Sequence, residues 1–360
     1  MKICVLGTRG FPNVEGGVET HCHALYSTLA EAAAHSIIVY RRKPYVSSND
    51  RVEGIQFVDL PSTRIKGFEA VLHSFLATVH TVCTRPDVVH IHNIGPALFS
   101  PILKLFNIKV VLTYHSANYE HSKWGSFARN LLRLSEKLAF RCADRIIYVN
   151  RIQMEKAPEY VRKKSVAIPN GIASPIITDN TDYLEYLGIE AGKYVLSVGR
   201  ITPEKGFDTL IKAFASSAPA DIKLVIAGSP GAEQAYKQSL LKLSEDKPVV
   251  FPGYVKGEPL AQLYSNAALY VLPSNNEGFP MVLLESMSYG RDVLVSDIPA
   301  TRLFPLEEED YFPVGDYERL GKKLLERLSK NTSSRSYELD EYNWQQIAAK
   351  VLEIYCKAAE

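Results

Sequence analysis

The sequence carries no excess of either charge and no cysteine framework. Among its 360 residues, 41 Lys and Arg stand against 40 Asp and Glu, a formal net charge of +1. This balance offers no electrostatic basis for nucleic-acid binding, so we expect no nucleic-acid partner. The five cysteines are odd in number and form no Cys-x-x-Cys pair, which favours reduced thiols in a cytosol-like compartment over a disulfide scaffold.

Long hydrophobic runs are also missing. No uninterrupted apolar stretch approaches the roughly 20 residues that are needed to span a bilayer. The N-terminal MKICVLGTRG holds only a short apolar run, which is typical of a buried first strand and too short for the core of a signal peptide. We therefore expect a cytoplasmic protein.

Two short motifs with known chemistry do not occur. The loop GTRGFPNVEGG places its glycines at spacings that do not match Gly-x-Gly-x-x-Gly, which disfavours a dinucleotide site. No Asp-x-Asp pair, the simplest signal of a metal-bridged diphosphate, occurs anywhere in the chain. A diphosphate held by backbone amides and cationic side chains remains compatible with both absences.

The chain does contain a regular alternation of strand-like and helix-like segments. The strand-like runs are short, β-branched and apolar on both faces, as expected of strands buried in a parallel sheet. A length above the usual limit for one core then predicts an α/β protein of two doubly wound, Rossmann-like domains facing each other across a cleft. The predicted strands are KICVLG, HSIIVYRR, VVHIHN, KVVLTYH and RIIYVN, followed by YVLSVGR, IKLVIAG, VVFPGYV, ALYVLPS and DVLVSD.

The boundary between the two arrays is predicted near IPNGIASPIITD, where prolines and a glycine interrupt regular structure. We place it after residue 171, so that residues 1–171 form the first domain and residues 172–342 the second. Residues 343–360 predict a final helix, which could pack back on the first domain. The acidic run EEED, from Glu307 to Asp310, is interpreted as a solvated loop.

The carboxyl ends of the predicted strands are where a ligand is expected, because ligands of doubly wound sheets bind there. After the first strand, Gly16 and Gly17 precede a helix that we expect to start near Val18. Glycines allow close approach of a ligand, and free amides at a helix start suit an anion. A pair of loop glycines serving a tight turn is an equally good interpretation.

Histidines end two other strands of the first half. His92 closes VVHIHN and His115 closes KVVLTYH. A core or loop histidine is the usual interpretation of each. His90 and His92 share one face of their strand, but no third ligand is evident, so no metal site is predicted.

In the second half, Arg200 and Lys205 lie between the end of a strand and the start of a helix, in GRITPEKGFDTL. Two cations beside a helix start make a site for a diphosphate. A pair of solvated charges is the alternative interpretation.

Two glutamates flank a predicted helix in NNEGFPMVLLESMSYG. Glu277 precedes Pro280, which suits the first helical position, and Glu285 lies inside the helix, which should end at Gly290. Eight helical residues cover about 12 Å with a net rotation of about 80°. The two carboxylates are therefore too far apart to share a proton, but they could contact two ends of one elongated ligand. Glu285 lies among apolar neighbours, so its carboxyl needs hydrogen-bond partners, which a ribose diol would supply.

Taken together these segments resemble a known family. The motifs EGGVE, VGR with Lys205-Gly206, IPNGI, FPGYV and EGFPMVLLE occur in an order that resembles the retaining glycosyltransferases of the GT-B fold, family 4. The resemblance covers nearly the whole chain. GTRGFPNVEGGVETH further resembles a bacterial surface-polysaccharide subgroup of that family, in which some members transfer rhamnose. One departure is Gly290-Arg291-Asp292, where the family often has Gly-x-Pro.

The resemblance implies a role for each candidate residue. Arg200 and Lys205 would bind the donor pyrophosphate, Glu277 the hydroxyls of the donor sugar, and His115 the transferred sugar; these four are the expected catalytic residues. No covalent nucleophile, cofactor or metal ion is expected. The expected donor-binding residues are Gly16, Gly17, Gly199, Tyr254, Val255, Gly278, Phe279 and Glu285, with Tyr254 and Val255 against the base and Glu285 on the ribose.

The resemblance implies a nucleotide-sugar donor and a glycan or polyprenyl-diphosphate-linked acceptor, held by residues that the sequence does not identify. Basic and aromatic residues alternate in SKWGSFARNLLRLSEKLAFR, which suits peripheral contact with the anionic inner membrane face. A packed amphipathic helix with a solvated basic side explains the same pattern. The segment includes Lys123, Trp124, Phe127, Arg129, Leu131, Arg133 and Leu134.

Two alternative functions stay open at this point. A non-catalytic subunit that binds nucleotide sugars would need the same residues. An NADP-dependent oxidoreductase is the second alternative, because Arg41 and Arg42 end a strand and could meet a 2′-phosphate.

Overall fold

The computed structural model describes residues 1–31, 35–63, 65, 68–116, 125–217, 219–230, 233–330 and 334–360. The chain divides into an N-terminal domain, Met1–Ala173 with Asp340–Glu360, and a C-terminal domain, Ser174–Leu339. The sequence-based boundaries lie two and three residues from these divisions. None of the helices in the ranges given above is long and apolar enough to cross a bilayer.

The N-terminal domain is built on a parallel sheet. Its strands run in the order β3-β2-β1-β4-β5-β6-β7, and every neighbouring pair is parallel. All five strands predicted for this half are present, with β3 and β7 in addition. The strands are β1 (Lys2–Leu6), β2 (Ser36–Arg42), β3 (Ile55–Leu60), β4 (Val88–His92), β5 (Lys109–Tyr114), β6 (Arg145–Tyr148) and β7 (Ser165–Ala167).

Helices follow most of these strands. The longest are amphipathic and turn an apolar side to a core that includes the buried faces of β1, β4 and β5. The helices are α1 (Gly17–Glu31), α2 (Phe68–Thr84), α3 (Ser100–Leu105), α4 (Ser126–Cys142), α5 (Arg151–Glu155) and α6 (Glu159–Arg162).

The C-terminal domain repeats this plan with strand order β10-β9-β8-β11-β12-β13, again parallel throughout. Its strands are β8 (Tyr194–Val198), β9 (Lys223–Ala227), β10 (Val249–Gly253), β11 (Leu269–Leu272), β12 (Val293–Ser296) and β13 (Tyr311–Phe312). Its helices are α7 (Asp182–Tyr186), α8 (Phe207–Ser217), α9 (Gln234–Leu243), α10 (Glu258–Asn266), α11 (Met281–Ser288) and α12 (Tyr317–Lys330).

The final helix, α13 (Trp344–Ala359), belongs to the N-terminal domain. It begins at Asn343, whose side-chain oxygen accepts from the amides of Gln345 and Gln346 at 2.9 and 3.2 Å, as an N-cap does. It packs against α1 and next to β4 and β5. Trp344 and Tyr355 are thereby buried over the carboxyl half of the first sheet.

Each sheet has one topological switch point, where the strand order reverses. It lies between β1 and β4 in the first sheet and between β8 and β11 in the second. In doubly wound folds the ligand crevice opens at the carboxyl ends of the strands at that point. The residues after β1, β4, β8 and β11 are therefore the ones to examine.

The acidic run Glu307–Asp310 is only partly a solvated loop, so that prediction is wrong for its last residue. Asp310 is fully buried and accepts hydrogen bonds from Arg327 at 2.8 Å and from Arg335 at 2.7 Å. Arg327 also holds buried Asp292, at 2.8 and 3.1 Å. This ion-pair cluster anchors the turn after α11, where Asp292 replaces the usual proline of the resembled family.

Candidate functional site

The chain leaves β8 through Gly199 and Arg200 and makes a short 3-10 turn that ends at Lys205. Gly206 then adopts a left-handed conformation, with φ of 64°. A Cβ atom at Gly206 would lie 2.1 Å from the carbonyl oxygen of Pro273, just after β11. Only glycine fits there, and the close approach presses the Lys205 turn against the end of the neighbouring strand.

Hydrogen bonds join this turn to the loop after β11. The Asn275 amide donates to the Glu204 carbonyl at 2.8 Å. Lys205 Nζ donates to Glu277 Oε1 at 2.5 Å, and the Ser274 hydroxyl donates to the same oxygen at 2.7 Å. The side chains of Lys205 and Glu277 are only 14% and 10% exposed. Sequence analysis assigned Lys205 and Glu277 to different parts of the ligand. In the structure they form one ion pair, in which Glu277 fixes the position of the lysine.

Arg200 differs from Lys205 in having no partner. Its side chain is exposed, and it makes no hydrogen bond or ion pair with any residue that the structure describes. Because Glu277 already balances Lys205, Arg200 is a positive charge at this edge that no described residue compensates. A doubly charged ligand placed here would gain one free cation and one preoriented, partly balanced cation.

The remaining candidates of the loop after β11 lie beside this pair. Gly278 and Phe279 are half-buried, and the Phe279 ring packs on Phe304 with centroids 5.2 Å apart. Helix α11 begins at Met281, one residue later than predicted, and Pro280 is its N-cap. The structure therefore groups Arg200, Lys205 and Glu277 with Gly199, Gly278 and Phe279.

Glu285 lies on α11, the helix that directly follows this loop. It is half-buried and accepts a hydrogen bond from the Tyr264 hydroxyl at 3.0 Å, while Tyr264 stacks on Tyr289 with centroids 5.2 Å apart. Burial raises the pKa of Glu285 to about 7, because the charged carboxylate loses hydration that one hydroxyl donor restores only in part. Its other oxygen accepts nothing from the described residues, so a further donor would be accommodated there.

Tyr254 and Val255 follow β10, the outermost strand on the other side of β8. Tyr254 is 54% exposed and Val255 is buried. Backbone bonds connect the three strand ends, because the Gly199 amide donates to Ala227 at 2.9 Å and the Gly228 amide to Gly253 at 2.7 Å. Tyr254 therefore lies at the same carboxyl edge as Arg200, but two strands away.

In the N-terminal domain, the loop after β1 is closed by a pair that the sequence did not reveal. Arg9 donates from its backbone and side chain to buried Glu19, each at 3.1 Å. Gly16 has φ of 146°, and a Cβ there would meet Glu19 at 2.2 Å. Gly17 begins α1, one residue before the expected start, and its amide has no acceptor within the described part of the chain.

His115 and His92 end neighbouring strands, and both are buried. His92 Nδ1 lies 3.1 Å from His115 Nε2. His21, on α1, brings its ring to 4.9 Å from that of His115 and to 5.4 Å from that of His92. The ring nitrogens of His21, His92 and His115 lie within 4.8 Å of one another, whereas His90, which the sequence paired with His92, is not part of this set.

A hydrogen-bonded chain continues from His92 into the domain. The Tyr26 hydroxyl lies 2.7 Å from His92 Nε2 and 2.8 Å from His90 Nδ1. His90 Nδ1 in turn lies 2.6 Å from the Tyr355 hydroxyl of α13. Burial lowers the pKa of His21 to about 4 and of His90 to about 3, and those of His92 and His115 fall in the same direction. All four rings are therefore neutral at pH 7.

His21 stands apart because both of its ring nitrogens are buried without a hydrogen-bond partner. The side-chain oxygen of Asn170, which lies beside it, also has none. Sequence analysis did not select His21, because its helical position gives no sign of the two strand ends that it faces. The order β1-β4-β5, which brings these elements together, is visible only in the folded chain.

Arg41 and Arg42, proposed for a 2′-phosphate in the oxidoreductase alternative, are both engaged. Arg41 is buried, donates to Asp59 at 2.6 and 2.9 Å and lies 4.0 Å from the Phe57 ring centroid. Arg42 pairs with Glu69 at 3.4 Å. Both guanidinium groups are therefore paired with carboxylates of the N-terminal domain.

Sequence comparisons assign each domain to a known family. The model for Glycosyltransferase Family 4 matches residues 15–174, and that for Glycosyl transferases group 1 matches residues 181–342. A phosphatidyl-myo-inositol mannosyltransferase of Mycobacterium leprae is 26% identical over 95% of this chain and 93% of its own length. An uncharacterised glycosyltransferase of Methanocaldococcus jannaschii is 30% identical, but the alignment spans only 47% of this chain and 46% of that protein.

Comparisons with solved structures identify the fold. Sucrose-phosphate synthase from Thermosynechococcus elongatus matches with a TM-score of 0.80 at 23% identity, over 99% of this chain and 98% of that one. Anabaena HepE in complex with UDP-glucose matches with a TM-score of 0.73 at 18% identity, over 100% and 98%. The predicted class, α/β with two Rossmann-like parallel sheets of the GT-B type, is confirmed.

Proposed function

The chain belongs to the glycosyltransferases of group 1, with an N-terminal domain of family 4, and on that premise we propose that it moves a sugar from a nucleoside-diphosphate sugar to a hydroxyl of a glycan or lipid-linked glycan. The observation that carries the proposal is the cationic edge at the switch point of the second sheet. There an unpaired Arg200 lies beside Lys205, which Glu277 holds in place. HepE is described in complex with UDP-glucose, whose diphosphate is the kind of group that such an edge suits.

The chemistry follows from the charge that develops on the leaving group. As the bond between the sugar C1 and the phosphate oxygen breaks, the nucleoside diphosphate gains negative charge, which Arg200 and Lys205 stabilise. The acceptor hydroxyl attacks C1 from the same face, and its proton passes to the departing phosphate oxygen, so the anomeric configuration is retained. In this proposal the two side chains offset the phosphate charge without a metal ion, and no side chain acts as a covalent nucleophile.

The other residues position the donor. Glu277 Oε1 is occupied by Lys205 and Ser274, which leaves Oε2 to accept from a sugar hydroxyl. Glu285 would accept from the ribose diol. Tyr254 and Val255 would lie against the base, and the backbone of Gly199, Gly278 and Phe279 against the phosphates. Gly16, Gly17 and His115 of the N-terminal domain are assigned to the same donor by the family resemblance alone.

A nucleotide screen tests the donor site directly. Thermal unfolding of the full chain would be followed with UDP, GDP, dTDP and ADP, since a nucleotide that binds only the folded state raises its stability. We expect one nucleotide to raise the Tm and Arg200→Ala to abolish that rise. A rise that is the same in Arg200→Ala, or no rise with any nucleotide, would contradict the proposed site.

Transfer must then be separated from mere binding. A panel of nucleotide sugars would be incubated with the chain, and release of free nucleoside diphosphate measured. We expect slow release from at least one donor without acceptor and faster release with a glycan acceptor. Binding without any release would favour the alternative of a non-catalytic nucleotide-sugar-binding subunit. Saturable NADPH binding would favour the oxidoreductase, although the internal pairing of Arg41 and Arg42 speaks against it.

For the acceptor we propose a polyprenyl-diphosphate-linked glycan at the inner membrane face, in the synthesis of a bacterial surface polysaccharide such as lipopolysaccharide or capsule. The support is helix α4, on which Phe127 and Leu134 are 83% and 50% exposed. Basic residues recur on it at every fourth position, at 129, 133, 137 and 141, so that they form one stripe. Lys123 and Trp124, which the sequence added to this surface, lie outside the described residues. The mycobacterial relative is named for a phosphatidylinositol acceptor, which is also a lipid.

Flotation with liposomes tests the membrane contact. We expect the chain to float with vesicles of anionic phospholipid at low salt and to remain below with neutral vesicles. Replacement of Phe127 by Ser together with Arg141 by Gln should reduce the floating fraction several-fold, because it removes one apolar and one cationic contact. Equal flotation of wild type and variant, or none at low salt, would count against a role of α4.

A further inference from the structure

We propose that His21, His92 and His115 form a binding site for a divalent transition-metal ion, for which Zn²⁺ is the expected occupant. Within the described ranges these residues are the one set of three or more potential ligands whose donor atoms all lie within 4.8 Å of one another. The site is built wholly from the N-terminal domain. It goes beyond the proposed transfer reaction and does not depend on it.

The three histidines come from elements that the fold holds together. His92 is the last residue of β4, His115 directly follows β5, and these strands are parallel neighbours. His21 lies in the second turn of α1, which crosses the same edge after leaving β1. All three side chains are at least nine-tenths buried, at 4%, 0% and 8% exposure. The ligands are therefore placed by secondary structure and packing and not by a mobile loop.

The donor set has the chemistry of a zinc or related site. Imidazole nitrogen is a preferred ligand of Zn²⁺, Cu²⁺ and Ni²⁺, and three histidines with one open position are a known zinc coordination. Coordination uses the lone pair of a neutral imidazole nitrogen, and each of the three rings can offer one. No carboxylate or thiolate belongs to the set, so a hard cation such as Mg²⁺ is disfavoured.

The unpartnered atoms give independent support. Both ring nitrogens of His21 and the side-chain oxygen of Asn170 are buried without a hydrogen bond of normal geometry, and a weaker contact between the two side chains still leaves one His21 nitrogen without a partner. A buried polar atom that remains unsatisfied destabilises the folded state. A metal ion would occupy the lone pair of one His21 nitrogen, and the neighbouring Asn170 oxygen would serve either as a fourth ligand or as the acceptor of the other N–H. One ligand thus accounts for atoms that the protein alone leaves unsatisfied.

The spacing of one nitrogen pair agrees with this assignment, and the whole set, within 4.8 Å, would contract slightly around an ion. For Zn–N bonds of about 2.0–2.1 Å in a tetrahedron, neighbouring ligand nitrogens lie about 3.4 Å apart. His92 Nδ1 and His115 Nε2, at 3.1 Å, are already close to that distance. The Tyr26 hydroxyl, 2.7 Å from His92 Nε2, would accept the remaining N–H of that ring. Histidine ligands commonly donate their second N–H to an oxygen in this way, which fixes the tautomer and the ring.

The site is compatible with the sugar contact proposed for His115. A metal ion bound through Nε2 fixes the proton of His115 on Nδ1, so this ring would remain a hydrogen-bond donor. The ion would then hold one orientation and one tautomer of the residue.

Metal content and cobalt spectroscopy test the proposal. The full chain would be prepared without a histidine tag and with Ser in place of the exposed Cys83 and Cys356, which could bind zinc on their own. After equilibration with buffered Zn²⁺ and removal of free metal, we expect about one equivalent per chain, as for a single closed site. Co²⁺ should add ligand-field absorption typical of nitrogen ligands, and Zn²⁺ should displace it.

His73 offers a matched control. It is fully buried on α2 with both ring nitrogens unpartnered, but it belongs to no ligand set. We expect His73→Gln to retain the metal, while His21→Gln and His92→Gln lose at least nine-tenths of it. If His21→Gln proves unfolded by circular dichroism, the cobalt spectrum of the parent chain and the content of His92→Gln decide. Less than a tenth of an equivalent in the parent chain, as for a site filled by water, or full content in His21→Gln would overturn the proposal.

Discussion

The two domains share one topology but present opposite chemistry at the same place in it. At the switch point of the second sheet, Arg200 is exposed and Lys205 pairs with Glu277. At the switch point of the first, His92 and His115 are buried and neutral and lie among aromatic side chains. A doubly wound sheet therefore determines where a ligand meets the chain, while the side chains that end the strands determine which ligand it is.

The largest effects are expected at the charged switch point. Arg200→Ala and Lys205→Ala should each lower kcat by about 10²–10³, because the leaving diphosphate loses a preoriented cation in the transition state. Lys212→Ala is the control, because Lys212 lies on α8 of the same domain, is half-exposed and makes only a long pair with Asp208 at 3.9 Å. Donor turnover with the best nucleotide sugar is the measurement.

The thermal unfolding of the same variants distinguishes lost chemistry from lost fold. Arg200→Ala should leave the Tm nearly unchanged, since the exposed Arg200 side chain makes no hydrogen bond or ion pair with the described residues. Lys205→Ala should lower it modestly, because Glu277 is left half-buried without its cation. Wild-type kcat in both variants would show that the charged switch point is structural, and the contrast between the two domains would lose its functional meaning.

Glu285 gives the charged region a pH dependence. Its pKa is raised to about 7 in the folded chain, compared with about 4.3 in an unfolded one. The folded state therefore binds the proton more tightly, and this residue makes the free energy of unfolding fall as pH rises from about 4.5 to 7, and level off above. The free energy of unfolding falls by about 1.4 kcal/mol per pH unit in this range, and the total loss approaches 3 kcal/mol. Glu285→Gln should remove it, so that the variant exceeds wild type by about 2–3 kcal/mol at pH 8 and matches it near pH 4.5.

Urea unfolding at pH 4.5, 6 and 8 measures this difference. Glu326→Gln is the control, because Glu326 is exposed on α12 and pairs only with Lys330 and other charges on the surface. Parallel pH profiles of wild type and Glu285→Gln would contradict the raised pKa. If Glu285 accepts from a ribose diol, nucleotide affinity of wild type should also rise between pH 6 and 8, and that rise should be absent from the variant.

The sequence predicted the sheets well, because buried parallel strands are continuous β-branched runs. The three strands that it missed lack this pattern, because β3 is only half-buried, β7 has three residues and β13 has two. Such edges carry too little hydrophobic pattern to be distinguished from loops. The start of α11 was predicted at Pro280, because proline is common at the first helical position. In the structure Pro280 is the N-cap, a difference of one residue, which is usual at helix ends.

Sequence analysis found the candidate residues that lie in loops after strands. It missed those whose role depends on contacts with residues far away in the chain. Arg200, Lys205 and Glu277 follow strands directly, but the ion pair of the last two joins positions far apart in the chain. His21 lies on a helix and reaches His92 and His115 only because β1, β4 and β5 are neighbours. Asp310 was assigned to solvent because the arginines that bury it come later in the sequence. Strand order and long-range pairing are properties of the folded chain that composition does not encode.

A smaller effect is expected where Trp344 of α13 packs against His21. A Cβ atom at Gly171 would lie 2.6–2.9 Å from the ring of Trp344, which also contacts the His21 ring in an edge-on arrangement. Gly171→Ala should therefore displace the indole and lower the free energy of unfolding by about 1–3 kcal/mol, as overpacking does. Gly95→Ala is the control, because its Cβ would only touch Leu132 at 3.6 Å. Urea unfolding with Trp fluorescence follows both, and equal midpoints for the two variants would show that the indole moves without cost.

The smallest effect is expected at Asn343, the N-cap of α13, and it should be confined to the N-terminal domain. Asn343→Ala removes the side chain that accepts from the amides of Gln345 and Gln346, at a cost of about 1 kcal/mol, and Asn343→Asp should restore most of it. Because α13 belongs to the N-terminal domain, fraying should loosen the cover over the histidines and leave the Lys205–Glu277 pair unchanged. Hydrogen exchange should therefore rise around β4 and β5 and not around β8 and β11. The nucleotide-dependent rise in Tm should persist, and its loss would mean that the two switch points are coupled.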